Sequence, residues 1–213
     1  MKFIKYFFLL LILQGCSSDY EWGWYILNPN NVEGLTNLKF LISGITTTIY
    51  ISIVSIVLAM IIGLVVALPS LSDNKFLSYF NIAYVELVRA IPLLVLILWI
   101  YYGLPIISGI SFSPFVSGII ALTISESAFQ AEIFRAGINS IHRGQHEVAG
   151  SLGMDFWKKM RLVILPQAIK VVLPALGNHL VYVIKVSWLV SIIGIADLTR
   201  KANELVTTTY RPL

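Results

Sequence analysis

Residues 147–166 have the sequence EVAGSLGMDFWKKMRLVILP, a polar and basic stretch that lies between long apolar segments. From Arg135 to Arg161 the chain carries five lysines and arginines but only two acids. Loops of membrane proteins that are rich in Lys and Arg stay on the cytoplasmic side. The stretch is therefore predicted to be a cytoplasmic loop that holds a partner.

The composition of the whole chain is typical of an integral membrane protein. Of its 213 residues, 57% are hydrophobic and 12% are charged, and the mean hydropathy is +0.83. The net charge of +4 does not indicate a nucleic-acid-binding protein, because the basic residues cluster beside apolar segments, as topology determinants do. The single cysteine, Cys16, excludes an intrachain disulfide and leaves too few thiols for a structural zinc site.

Residues 1–16 resemble a signal segment, and residues 17–38 are predicted to lie outside the cytoplasm. A basic start precedes an apolar run that is shorter than the ~20 residues of a spanning helix. The sequence LQGC at 13–16 also resembles a lipobox, in which the cysteine, here Cys16, is lipidated. The alternative is an uncleaved signal anchor with a chance cysteine.

Three crossings of the membrane are predicted before the cytoplasmic loop. Residues 40–72 carry no charge and, at ~1.5 Å per helical residue, are long enough to cross a bilayer. Residues 75–89 are expected to form a cytoplasmic or interfacial helix. The next uncharged stretch, 90–125, is interrupted at Gly103-Leu104-Pro105 and at 109–114, which predicts a hairpin of two spans.

The hairpin is expected to continue to about Ile138, where the loop of residues 139–166 begins. A fourth span is predicted from about Pro166 to Lys185. The apolar piece that follows, 186–196, is too short to span as a helix and is expected to be a re-entrant or gate-lining segment buried in protein.

Turn chemistry predicts a short helix inside the loop. Gly144 is expected to end one helix, and residues 145–152 to form the next, with Gly153 as its left-handed cap. Asp155 is expected to cap a further helix, which Leu165-Pro166 breaks at the membrane surface. The alternative is an amphipathic loop that lies on lipid headgroups.

Charged groups at membrane depth are costly and are functional candidates by default. Glu126 is the first charge after the uncharged stretch, and with Gln130 it forms a near-helical polar stripe that is expected to line a path. Glu132 and Arg135 are expected to form an i, i+3 ion pair with a structural role. Lys185 either lines the path or extends to the outer surface.

Histidines 142 and 146 have the spacing of a metal-binding pair on a helix. No third ligand is evident on the same side of the membrane, so no metal site is predicted. No G-x-x-x-x-G-K-[ST] motif occurs in the chain, so any ATP hydrolysis is expected from a separate subunit, and the chain itself is not predicted to be an enzyme.

The loop resembles the EAA loop of ABC importer permeases. In that family Glu-Ala-Ala is followed, at the spacing found here, by Gly and by Ile-x-Leu-Pro, and only Val148 and Val163 depart from the pattern. The sequences ELVRAIPL (86–93), ESAFQAEIFRAG (126–137) and SIHRGQ (140–145) are similar to those of the polar amino acid subgroup. The resemblance implies an all-α, polytopic helical bundle with the type I importer, or MetI-like, fold.

The resemblance also assigns candidate site residues within the transmembrane domain, residues 39–213. In the family the loop helix docks on the ATPase, whereas an Asn and a Lys-containing segment lie near the gate, where Val186 and Trp188 depart from the family pattern. The ATPase-docking candidates are Gly144, Gln145, Glu147, Ala149, Gly153, Leu165 and Pro166. The substrate-path candidates are Glu126, Gln130, Asn178, Lys185, Ser187 and Trp188.

The implied function is the translocation step of an ATP-driven polar amino acid importer in a bacterial inner membrane, with a multi-pass chain. The implied partners are a dimer of ABC ATPase subunits, which binds ATP and magnesium, a second copy or a related permease, and a periplasmic or lipid-anchored solute-binding protein that delivers the amino acid. This chain is expected to need no cofactor, and no nucleic acid is expected as a partner.

Two alternatives remain open at the level of the sequence. A secondary transporter or channel would be indicated by inverted repeats, which the sequence lacks. A non-transporting remnant that still docks an ATPase would fit the end of the chain, because the family has one more helix beyond the position of Tyr210-Arg211-Pro212. The chain is accordingly expected to lack the last helix, either as a truncated copy or as a fragment of a longer product.

Overall fold

The computed structural model describes residues 23–71 and 75–210, so the expectations for residues 1–16 and for Cys16 lie outside the described residues. Within these ranges the chain is helical and has no strand. A 3₁₀ turn at Gly23–Leu27 precedes the longer helices. These are α1 (Val32–Ala67), α2 (Lys75–Ala90), α3 (Leu93–Ser108), α4 (Pro114–Asn139), α5 (Arg143–Ser151), α6 (Phe156–Ile193) and α7 (Leu198–Thr209).

The chain divides into two compact units. The smaller unit is made of the residues before Ile42 and after Arg200, and in it the Lys201 ammonium lies 4.7 Å from the centre of the Phe40 ring. The larger unit, residues 42–200, contains all of the candidate docking and path residues.

Two helices of the described chain, α1 and α6, are long and apolar enough to cross a membrane. A third candidate consists of Asn81–Ala90 and α3, which meet at a bend of 91°. Pro92 lies at this bend, where its ring and missing N–H oppose a continuous helix. The predicted separation of a helix at 75–89 from the following span is therefore confirmed.

Helix α4 is the centre of the larger unit and packs against α2, α3 and α6. Its 26 residues end at Asn139, close to the predicted end of the hairpin. Apolar clusters form around Leu122, Ala131 and Ile138 along its length. Because α4 is covered by other helices, it tolerates more polar residues than α1 or α6, and it does not itself have the apolar character of a lipid-facing span.

Small residues allow α1 to pack closely against α4. Ser55, Ala59, Gly63 and Ala67 recur at every fourth position and are buried. A Cβ atom on Gly63 would lie 2.9 Å from the Ser127 carbonyl oxygen of α4. Small residues at this spacing let helix backbones approach in membrane proteins, so Gly63 is a closest-approach position.

Two Leu-Pro pairs do not break their helices, and the predictions for them were wrong. A π-helical segment precedes each pair: Trp99–Gly103 before Leu104-Pro105, and Met160–Ile164 before Leu165-Pro166. The leucine N–H of each pair donates to a carbonyl five residues back. This wider turn changes the hydrogen-bond register just before the proline, so α3 and α6 continue through it.

The apolar piece at 186–196 is not a separate re-entrant segment, so that expectation was wrong, whereas its expected burial in protein is confirmed at Ser187, Val190 and Ile193. It continues α6 as a 3₁₀ turn, Ser187–Ile193, and the turn ends at Gly194, whose φ is +97°. Val190 and Ile193 belong to the apolar cluster around Leu122. The segment is therefore anchored in the core by every third residue, as the 3₁₀ period allows.

The Asp197 carboxylate caps the start of α7 and is almost fully buried. Its Oδ1 atom accepts a hydrogen bond of 2.9 Å from the Arg200 N–H, and its exposed fraction is 1%. Burial raises the pKa of Asp197 above the ordinary value of 3.8, against a smaller opposing effect of the backbone hydrogen bonds that it accepts.

The raised pKa gives stability a definite pH dependence. The folded state binds the Asp197 proton more tightly than the unfolded state, so protonation of Asp197 stabilises the fold. This contribution is complete below pH 3.8 and is lost as the pH rises through the folded-state pKa. We expect the melting temperature of the wild type, measured relative to Asp197→Asn, to fall as the pH rises above about 4. A difference between the two proteins that stays constant with pH would contradict this expectation.

Candidate functional site

The predicted short helix forms as α5, with bounds within two residues of those expected. The His142 imidazole caps its first turn, and its Nδ1 atom accepts a hydrogen bond of 3.1 Å from the Gly144 N–H. Gly144 thus lies inside α5 and does not end the preceding helix, which is a correction to the prediction. A Cβ atom at Gly144 would lie 3.1 Å from the imidazole Nδ1, so glycine leaves room for this cap.

Helix α5 ends in the predicted left-handed cap. Gly153 has a φ of +69°, its N–H donates to the Gly150 carbonyl at 2.9 Å, and the Met154 N–H donates to the Ala149 carbonyl at 3.1 Å. These two bonds form a Schellman motif. Asp155 then caps α6 as predicted, because its Oδ1 atom accepts the Lys158 N–H at 2.8 Å.

Some residues of α5 contact the rest of the chain, and others are exposed. Ala149 has an exposed fraction of 1%, and the Gln145 side-chain oxygen accepts a hydrogen bond of 3.2 Å from the Gln167 amide of α6. Other residues of α5 are exposed and partly apolar, and exposed residues continue into the start of α6. We call this the docking surface: Glu147, Val148, Leu152, Phe156 and Trp157.

The docking candidates therefore fall into three groups. Glu147 belongs to the docking surface, whereas Gly144, Gln145, Ala149 and Gly153 shape α5 and attach it to the chain. Leu165 and Pro166 lie on the exposed side of α6, beyond the π segment and beside the buried Ile164.

A polar face runs along α6 within the stretch that is long enough to span a membrane. Asn178, Tyr182 and Lys185 are exposed and recur at spacings of four and three, which places them on one side of the helix. No described atom lies within 4 Å of a Cβ built at the neighbouring Gly177, so the surface there is open. Polar groups exposed at membrane depth must meet protein or water. We call these three residues the polar face.

The other path candidates lie in different places. Trp188 is 46% exposed, whereas Ser187 is buried and its hydroxyl donates to the Ile184 carbonyl at 2.8 Å. Glu126 and Gln130 are buried inside the chain, with exposed fractions of 1% and 0%. The polar stripe predicted on α4 thus lies in the protein interior and is not part of the open polar face.

Glu126 has a partner that the sequence reasoning missed. The His179 Nε2 atom of α6 lies 2.6 Å from the Glu126 Oε2 atom, and neither atom has a partner with hydrogen-bond geometry among the described residues. His179 was itself an ionisable residue in an apolar span, which is the signal that could have marked it. The pair links α4 to α6 directly behind the polar face.

The expected ion pair between Glu132 and Arg135 is confirmed, with a separation of 2.5 Å. Arg89 of α2 approaches the second oxygen of the same carboxylate at 3.6 Å. All three side chains are about one-third exposed or more, so solvent screens these interactions. The group holds α2 beside α4, which agrees with the structural role predicted for Glu132.

Comparison with known proteins gives consistent results for this arrangement. The family described as binding-protein-dependent transport system inner membrane component matches residues 55–211. The putative glutamine transport system permease protein GlnP of Rickettsia prowazekii is 36% identical over 173 residues, which are 81% of this chain and 79% of the relative. The arginine transport system permease protein ArtQ of Bacillus subtilis is 34% identical over 179 residues, or 84% of this chain and 82% of the relative.

A solved structure supports the same conclusion for the fold. An amino acid ABC transporter crystallised with histidines matches with a TM-score of 0.78 and 42% identity, over 83% of this chain and 82% of that chain. The resemblance to ABC permeases and the expected helical fold of type I importers are thereby confirmed. From its sequence, its helical bundle and these matches, the chain belongs to the family of binding-protein-dependent transport system inner membrane components.

Proposed function

We propose that this chain is the multi-pass translocation subunit of an ATP-driven importer of polar amino acids in a bacterial inner membrane. The docking surface receives a cytoplasmic ATPase, and the polar face of α6 lines the substrate path. Relatives named for glutamine and arginine transport support an amino acid as the substrate.

The observation that carries the proposal is the continuity of α6. One helix, Phe156–Ile193, begins at the capped junction with α5 and extends past the polar face. At ~1.5 Å per residue, the start of α6 at Phe156 and the polar face at Tyr182 are roughly 40 Å apart along the helix. A displacement of the docking surface can therefore move the path without any further element between them.

The exposed residues of the polar face also support a second permease chain as a partner. Asn178, Tyr182 and Lys185 would face lipid in an isolated chain, which is unfavourable for polar groups at this depth. A second copy of this chain, or a related permease, would enclose a water-filled path against them. The remaining proposed partners are a dimer of ABC ATPase subunits, which supplies the ATP and magnesium chemistry, and a periplasmic or lipid-anchored binding protein.

Transport in proteoliposomes tests this function. The chain is reconstituted with its ATPase and binding protein, with ATP inside and tritiated polar amino acids outside. We expect uptake with ATP and none with a nonhydrolysable analogue. Uptake by the chain alone without ATP would favour a channel or secondary transporter, and absence of uptake despite a bound ATPase would favour a non-transporting remnant.

A further inference from the structure

The Glu126–His179 pair is buried between the two helices that the proposed path depends on. Glu126 has an exposed fraction of 1%, and the His179 side chain one of 12%. Buried polar groups need polar partners, and the 2.6 Å contact makes the His179 imidazole the neighbour of the Glu126 carboxyl group. The carboxyl group is thus covered within the chain.

Aromatic rings fix the imidazole in front of the carboxylate. The His179 ring stacks on Tyr182 with the ring centres 5.5 Å apart and the planes 21° apart, and it lies 5.7 Å from the centre of the Phe129 ring. Tyr182 belongs to the polar face and is 46% exposed. His179 therefore contacts both Glu126 and Tyr182 of the polar face.

The other charged residues near the Glu126–His179 pair lie on the helices that pack beside it. On α2, the Arg89 guanidinium lies 5.0 Å from the centre of the Phe129 ring on α4, and it is already paired with Glu132. On α6, Lys185 is exposed at the end of the polar face. The polar face itself carries one cation and no acid, and the nearest carboxylate behind it, Glu126, is covered.

We propose that His179 is a specificity-determining residue: by covering Glu126 it makes the path selective for amino acids with neutral side chains over those with cationic side chains. This inference rests on the proposed function. Lys185 attracts the carboxylate that every amino acid carries, whereas a cationic side chain finds no accessible carboxyl group. The path thus selects against amino acids with cationic side chains because it offers those side chains no carboxyl group to bind.

Equilibrium binding to the purified complex of permease and ATPase, without the binding protein, tests the role of His179. The probes are tritiated glutamine for the neutral class and tritiated arginine for the cationic class. The wild type is expected to bind glutamine more tightly than arginine. His179→Ala removes the cover from the Glu126 carboxyl group and opens it to the path, and we expect its arginine affinity to rise by about tenfold or more, with glutamine affinity within about threefold of the wild type.

The double variant Glu126→Gln/His179→Ala is the matched control. It has the same cavity but no carboxylate, so the gain in arginine binding is expected to disappear. His179→Gln keeps a neutral donor and a side chain of similar length, and it provides the test if the alanine variant does not fold, with an intermediate gain expected.

Three results would overturn the proposal: equal affinities of the wild type for both probes, no gain of arginine binding in His179→Ala or His179→Gln, or an equal gain in the double variant. These results are distinct from a failure of the proposed function. A wild-type complex that imports glutamine with ATP, but whose His179 variants gain no arginine binding, would retain the function and exclude this role for the pair.

Discussion

Gly153→Leu is expected to remove most of the ATPase that co-purifies with this chain, while the chain still folds in the membrane. Gly153 has a φ of +69°, and a residue with a side chain in this left-handed conformation is strained by ~1–2 kcal/mol. In the variant, the C-terminal cap of α5 opens to relieve this strain. The cap must form again before the ATPase can bind, so the strain weakens the complex. A cost of about 1.4 kcal/mol corresponds to a tenfold weaker complex, which quantitative pull-down from solubilised membranes measures.

Gly109→Leu provides a matched control, because Gly109 ends α3 with almost the same φ, +70°. No described atom lies within 4 Å of a Cβ at either glycine, so both variants are strained by the backbone and not by crowding. We expect similar losses of thermal stability in the two variants, but normal ATPase recovery with Gly109→Leu. Equal recovery with both variants would mean that the α5 cap has no special part in docking.

Gly63→Leu is expected to prevent the accumulation of folded protein. Its Cβ atom would lie 2.9 Å from the Ser127 carbonyl oxygen and 3.0 Å from the Ala131 nitrogen, and backbone atoms of a central helix cannot move aside as a side chain can. Overpacking of a core costs ~1–3 kcal/mol for a few added methylene groups, and a leucine side chain here exceeds that by its size. Size-exclusion chromatography of the solubilised protein, detected by a fluorescent tag, measures the folded fraction.

Gly177→Leu is the control for this variant, since Gly177 also lies within a long apolar helix but faces an open surface. Its folded fraction is expected to stay near that of the wild type. Gly63→Ala should have an intermediate effect, because its methyl group meets the same backbone atoms. If Gly63→Leu accumulates as well as Gly177→Leu, then α1 does not pack on α4 through this glycine.

The sequence predicted the local structure of the docking region well, because that structure depends on neighbouring residues. A glycine just after the end of a helix favours a left-handed cap, and Asp155 placed just before the next helix favours an N-cap, whatever the rest of the chain does. The long uncharged stretch at 40–72 predicted α1 for a similar reason, since its length and composition alone are sufficient for a helix that crosses a bilayer.

The failures at Leu104-Pro105 and Leu165-Pro166 have one physical cause. A proline inside a helix was expected to end it, because proline lacks an N–H and its ring clashes with the preceding turn. A π segment removes that conflict by changing the hydrogen-bond register, and packing keeps the helix continuous. Nothing in the local sequence distinguishes this outcome from a break.

The partner of Glu126 could not be found from spacing, because it lies on another helix. The sequence marked Glu126 as functional through its depth in the membrane, but it did not indicate whether the side chain faced a path or the interior. The structure places it behind His179, 53 residues further along the chain. Pairing of this kind depends on how α4 and α6 pack against each other. The periodicity of each sequence segment does not predict that packing.

Photo-cross-linking from the docking surface tests the central claim most directly. A benzoylphenylalanine residue replaces Val148, which is 60% exposed on α5, or Ile106, which is 85% exposed on α3, and the membranes carry the co-expressed ATPase. We predict a cross-linked product of permease and ATPase from position 148 and none from position 106. A product from 106 with none from 148 would contradict the assignment of α5 as the ATPase dock.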